Sequence, residues 1–185
     1  ILELSLHDSP SLDVADARAK LEAAGLGIVC SRGLAFEADV SSDDPEVVAR
    51  GARLLHDSLQ ITHDLGGTHF TGALYSALGK YGRQLSTAGR ANVVATLKDL
   101  AGEAEGKGMT LGLEICNRYE TNVINTAADA LRLADDIGHD NVVIHLDTYH
   151  MNIEEDDLVR PVLLVGDRLG YVHIGENHRG YLGSG

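Results

Sequence analysis

The sequence contains no tryptophan, two phenylalanines, two cysteines and three prolines among 185 residues. Basic residues are also few: 15 Lys and Arg stand against 28 Asp and Glu, a net charge of −13. That balance argues against unassisted nucleic-acid binding, because phosphate backbones are held through clustered Lys and Arg. Cys30 and Cys116 make no disulfide framework and have no metal-ligand spacing. Both fall in apolar runs that read as strands, which points to buried thiols in a reducing compartment. No apolar run reaches the length of a membrane span, and no charged-then-apolar leader opens the chain. The expectation is a soluble, cytoplasmic protein without a membrane partner.

Enough apolar residue is present, 44%, for one sizeable core, and residues 1–185 read as a single domain. The chain opens at Ile1 inside an apolar run and stops at Gly185 in a Gly-rich loop. Domain boundaries are normally polar and exposed, so the expectation is a fragment.

The centre of the pattern is 142–151, Val-Val-Ile-His-Leu-Asp-Thr-Tyr-His-Met. A β-branched apolar run ends in Asp147, with helical patterns on either side, as in a strand buried on both faces of a parallel sheet. Further strands are expected over residues 1–6, 26–31, 68–74, 110–116 and 171–175. Asp8, Ser9 and Pro10 read as a breaker after the first of them. Helical periodicity covers 13–24, 45–65, 86–107 and 126–137, with Asp44 capping the second helix and Pro45 at its first position. A fifth helix holds Pro161 in its first turn. Six strands alternating with five helices mean a parallel sheet with right-handed crossovers. No Gly-x-Gly-x-x-Gly follows the first strand, so a dinucleotide-binding open sheet has no support. Part of a (β/α)8 TIM barrel, about six of its eight strands, fits better, because three late strands end in polar side chains.

Those ends are Glu114, Asp147 and His173. Two carboxylates and an imidazole suit a divalent metal such as Mn²⁺, Co²⁺ or Mg²⁺, with positions left for substrate oxygens. Any one of them alone reads as an ordinary solvated residue; three at equivalent places on separate strands read as a site. His145 faces the same way as Asp147, one layer deeper, and reads as a hydrogen-bonded interior histidine. Glu120, His150 and Arg179 lie in the loops beyond, where function and simple capping are equally compatible with the spacing. Glu154, Glu155, Asp156 and Asp157 read as charge at a helix start rather than a metal site.

Three segments carry a resemblance: Leu-Gly-Leu-Glu-Ile-Cys-Asn-Arg-Tyr-Glu from Leu111, His-Leu-Asp-Thr-Tyr-His-Met-Asn-Ile-Glu-Glu from His145, and Val-His-Ile-Gly-Glu-Asn-His-Arg-Gly from Val172. They resemble the motifs of the ketose 3-epimerases, the D-tagatose and D-allulose (psicose) enzymes of the xylose-isomerase-like barrels. The resemblance runs over nearly the whole chain. It implies a metal held by Glu114, Asp147 and His173, with Glu114 also catalytic, and substrate oxygens held by Glu120, His150 and Arg179. It implies epimerisation of a free ketose at its third carbon through an enediolate, in a dimer or tetramer. It also implies that the chain runs from the second to the seventh strand, without the last-strand Glu that serves as fourth ligand and second acid–base group. On that expectation the 185 residues alone are poorly stable, prone to associate, and weak or inactive. The competing expectations are an aldose–ketose isomerase using the same metal, a metal-dependent DNA endonuclease on the same barrel, and a non-enzymatic remnant. The endonuclease reading lacks both the basic surface and the His-rich ligand set it needs.

Overall fold

The computed structural model describes residues 1–7 and 11–185. Asp8, Ser9 and Pro10, expected to break the chain after the first strand, lie outside the described residues. Six parallel strands form one sheet in sequence order: β1 (Leu2–Ser5), β2 (Ile28–Ser31), β3 (His69–Gly72), β4 (Thr110–Glu114), β5 (Val142–Asp147) and β6 (Leu169–His173). Between them run α1 (Val14–Ala24), α2 (Pro45–Asp64), α3 (Thr87–Gly106), α4 (Ala127–Ile137), α5 (Thr148–Glu154) and α6 (Arg160–Val165). The fold is the partial TIM barrel expected. The sheet curls so far that Glu3 on β1 touches both Tyr171 and His173 on β6.

Local chemistry explains the helix ends. Asp13, Asp44, Ser86 and Thr126 each cap a helix with a side-chain oxygen, and Pro45 sits at the start of α2. Thr126 and Asp129 form a reciprocal capping box on α4. Gly25 and Gly138 stop α1 and α4 in the left-handed conformation.

The apolar core lies between sheet and helices. Leu111, Leu113, Val142, Ile144 and Leu146 point outward onto Val93, Leu97, Leu100, Ala130, Leu133 and Ile137. The alternate positions of the strands line the barrel interior with polar groups: His69, Thr71, Glu114, His145, Asp147, Tyr171 and His173. β5 is therefore two-faced, apolar outward at Val142, Ile144 and Leu146 and polar inward at His145 and Asp147.

Three expectations need correction. Six helices occur among the described residues, because α5 starts directly from β5 with Asp147 as its cap, leaving no loop to signal it. The acidic run after it does not open a helix as expected. Glu154 closes α5 and binds Arg118, Glu155 accepts the Ala127 N–H, and only Asp157 accepts N–H groups entering α6. The inward face of α2, expected from the helical period along Val47, Gly51, Leu54, Ser58, Thr62 and Leu65, is Gly51, Leu55, Ser58, Leu59 and Thr62, so Leu55 and Leu59 take the place expected for Leu54.

Candidate active site

Register delivers the three strand-end residues to one place. Asp147 pairs with His173 across β5 and β6, and Glu114 pairs with His145 across β4 and β5. His173 Nδ1 lies 3.2 Å from Glu114 Oε1 and 3.7 Å from Asp147 Oδ2, while its Nε2 lies 2.7 Å from Glu3 Oε2. An imidazole among three carboxylates keeps its proton: hydrogen bonds to Asp147, Glu114 and Glu3 push His173 up to about 11. Burial works to raise Glu3, but bonds from His173, Ser31 and Tyr171 outweigh it and hold Glu3 at about 2. Burial also opposes Asp147, and His173 with the Tyr149 N–H brings it below the usual carboxylate range.

His145 is fully buried. Thr71 Oγ1 donates to the Gly112 carbonyl at 3.0 Å and lies 2.8 Å from His145 Nδ1, so Nδ1 carries the proton and donates to Thr71. Only glycine fits at position 112, because a Cβ there would come within 2.3 Å of Thr71 Oγ1. Nε2 of His145 is left as a buried lone pair without a partner. Burial pushes this histidine down to about 4, so it is neutral. Glu114, His145 and His173 place one donor atom each within 4.8 Å of one another, so among the described residues His145 rather than Asp147 completes the close grouping with two of the expected ligands. Oxygen and nitrogen donors, surplus negative charge and an unpartnered imidazole nitrogen together fit a divalent cation. A second grouping, Glu114, Cys116 and His150, is unsuited, because burial raises the Cys116 thiol and keeps it protonated.

The loop residues form an adjoining cluster. His150 Nδ1 accepts from the Asn117 backbone N–H at 3.0 Å and faces the Asn117 side-chain amide at 2.8 Å. Its proton therefore sits on Nε2, which faces Arg179 Nη2 at 3.1 Å and Asp147 Oδ2 at 3.9 Å. Burial lowers His150 and keeps it neutral. Two donors facing each other make no hydrogen bond; they are satisfied together by an acceptor oxygen placed between them. Arg179 also binds Glu120 at 3.0 Å and lies 4.4 Å from the Tyr149 ring centroid. Asn117 donates to Glu120 at 3.1 Å. Arg179 is held at positive φ, 60°, a conformation unusual for a non-glycine residue.

All six residues singled out from the sequence thus lie in one continuous cluster of contacts at the carboxyl ends of β4, β5 and β6. Three more belong to it that sequence reasoning missed: Glu3, Asn117 and Tyr149. The latter two stood within quoted motifs, and their polar or aromatic character beside Glu120 and His150 was the available signal.

A family model described as "Xylose isomerase-like TIM barrel" matches residues 3–185. The chain belongs to that family. Within it, the chain is similar to an L-ribulose 3-epimerase from Methylomonas sp. strain DH-1, at 47% identity over all of this chain and 64% of the relative. It is similar to a ketose 3-epimerase from Arthrobacter globiformis at 46% identity, again over all of this chain and 64% of the relative. Among solved structures, a D-allulose 3-epimerase from Methylomonas sp. in complex with D-allulose superimposes with a TM-score of 0.96 and 47% identity. That alignment covers 99% of this chain and 64% of the other. The chain therefore spans about two thirds of the length of these family members, at 64%.

Proposed function

We propose that this site performs proton transfer at the third carbon of a free ketose, of the D-fructose/D-allulose or D-tagatose/D-sorbose type, as in a ketose 3-epimerase. The observation that carries the reading is the meeting of two clusters: Glu114, Asp147 and His173 beside Glu120, His150 and Arg179, on a chain similar to ketose 3-epimerases. Glu114, Asp147 and His173 would hold a divalent metal, Mn²⁺ first and Co²⁺ or Mg²⁺ as alternatives. When bound, the metal supplies positive charge that steadies the anion left on the ketose as its carbon-bound proton departs.

The chain's own groups divide the remaining work. Glu114 takes the proton from one face of the third carbon while a second acid, or water, delivers one to the opposite face; with the opposite epimer as substrate the roles exchange and Glu114 is the donor. His150 Nε2–H and an Arg179 N–H converge on one sugar oxygen, and Glu120 accepts from a neighbouring hydroxyl while holding Arg179 in line. Such positioning brings the C–H bond to the carboxylate in a reactive orientation. Two thiols, Cys30 and Cys116, both buried and unbridged, support a reducing, cytoplasmic setting. Among the described residues no helix is long and apolar enough to cross a membrane. The same reading includes a homo-oligomer, a dimer or tetramer, as the resemblance implies.

The test is incubation with D-fructose or D-allulose in heavy water with Mn²⁺, removing the metal before NMR. Deuterium at the third carbon is the expected result, with the epimer formed as well where an acid serves the opposite face. Exchange without epimer would leave Glu114 as a working base with no acid opposite. An aldose product would assign the isomerase reaction instead. Absence of any exchange in folded, Mn²⁺-loaded protein would overturn the reading.

A further inference from the structure

Glu3 is the one charged side chain of β1, and it reaches a residue 170 positions away in sequence. Its Oε2 lies 2.7 Å from His173 Nε2 and accepts from the Tyr171 hydroxyl at 3.0 Å. A carboxylate offers acceptors only, so each imidazole nitrogen facing one bears a proton, and a cation among Glu114, Asp147 and His173 displaces the proton on Nδ1 while Glu3 retains the one on Nε2. In the neutral ring this leaves the lone pair on Nδ1, the nitrogen that faces Glu114 at 3.2 Å and Asp147 at 3.7 Å.

We propose that Glu3 is a positioning residue of the site, fixing the ring orientation and tautomer of His173 so that Nδ1 is presented to the metal. This rests on the reading that Glu114, Asp147 and His173 hold a divalent cation. A carboxylate behind a metal-ligating imidazole acts in two ways: it locks the ring and makes the ligating nitrogen a better donor. Tyr171 completes the arrangement. Its hydroxyl occupies the same Glu3 oxygen, and its ring packs against His145 and His173 at centroid distances of 4.8 and 5.6 Å. The imidazole is therefore held on its polar edge by Glu3 and on its flank by Tyr171. A purely structural role, tying the first strand to the last, would use the same contacts but would leave metal affinity alone.

Three proteins separate these roles: the wild type, Glu3→Gln and Tyr171→Phe. Glu3→Gln keeps the shape and one acceptor but loses the charge and can turn its amide N–H toward the ring. Mn²⁺ affinity, followed by the EPR signal of the free ion, should fall about 10- to 100-fold in Glu3→Gln. Tyr171→Phe keeps the ring against His173 and removes only the hydroxyl tie between β1 and β6, so it should lose much less Mn²⁺ affinity than Glu3→Gln. Nitrogen NMR of the Mg²⁺-loaded wild type should find the His173 proton on Nε2. Equal Mn²⁺ affinity in folded wild type and Glu3→Gln, or a proton on Nδ1, would overturn the role of Glu3 and leave the epimerase reading standing. Mn²⁺ binding that depends on Glu3 without any exchange at the sugar's third carbon would do the reverse. Wild type that binds no Mn²⁺ would overturn both.

Discussion

At the scale of single residues, Glu114 carries the largest expected effect. Glu114→Gln preserves volume but cannot accept a carbon-bound proton, and general-base catalysis contributes about 10²- to 10⁴-fold. Deuterium exchange at the third carbon should fall by at least that range in Glu114→Gln; near-normal exchange would place the base elsewhere. His145 makes a separate, pH-dependent prediction. Its folded value is pushed down by burial to about 4, below the roughly 6.5 of an unfolded histidine. The unfolded chain therefore takes up the proton first, and stability falls as pH drops from about 6.5 toward about 4. The full shift corresponds to about 3 kcal/mol. His173 works the other way: its raised value keeps it protonated in the folded state, while the unfolded histidine gains its proton only through about 6.5, so its contribution grows slightly as pH falls to about 6 and then levels off. Urea midpoints at pH 7 and pH 5 should differ in the wild type and differ less in His145→Asn; equal slopes would show that His145 is not the group responsible. The residues legible in the sequence were those whose place is local: Glu114, Asp147 and His173 each end an apolar strand. Glu3 was not legible, because its partners lie on β6, at the other end of the sheet, and only the curl of that sheet brings them together.

The elements were legible wherever a cap or a period marks them. Asp44-Pro45 announced α2, and the periods starting at 86 and 126 met α3 and α4 within a residue; in the structure Ser86 and Thr126 take up free N–H groups of those first turns. α5 escaped because Asp147 serves at once as the last residue of β5 and the cap of the next helix, so no turn residues intervene. The sixth strand was expected over 171–175 but spans Leu169–His173. The reason is a bulge: Ile144 pairs with Leu169 and His145 with Tyr171, leaving Gly170 as an extra residue. This bulge puts both Tyr171 and His173 on the inner face, opposite His145 and Asp147. A Cβ at position 170 would lie 2.2 Å from Val143 Cγ2 and 2.7 Å from Val143 Cβ. A β-branched side chain has little freedom to move aside. Gly170→Ala should therefore destabilise the protein by about 1–3 kcal/mol and weaken Mn²⁺ binding as His173 shifts against Asp147. Unchanged urea stability and unchanged Mn²⁺ affinity would show that the bulge has no part in aligning the site.

For the molecule as a whole, the two ends of the sheet set the behaviour. Beside β6, Leu163, Leu164, Val172 and Ile174 are exposed, and Ile1, Leu2 and Leu26 are exposed around β1. Both ends present unpaired strand edges next to apolar side chains, a combination that recruits another chain. Against this stands a net charge of −13, whose mutual repulsion keeps copies apart and is screened over about 10 Å at 0.1 M salt. The two effects have opposite salt dependence, which makes the outcome measurable. Sedimentation velocity of the 185-residue chain should show species heavier than its 19.7 kDa, growing with protein concentration and further with added NaCl as repulsion is screened. Association through ion pairs would instead weaken with salt. A single 19.7 kDa species at every concentration and salt level would mean that the exposed strips are tolerated in water, and the expected association of these 185 residues would be wrong.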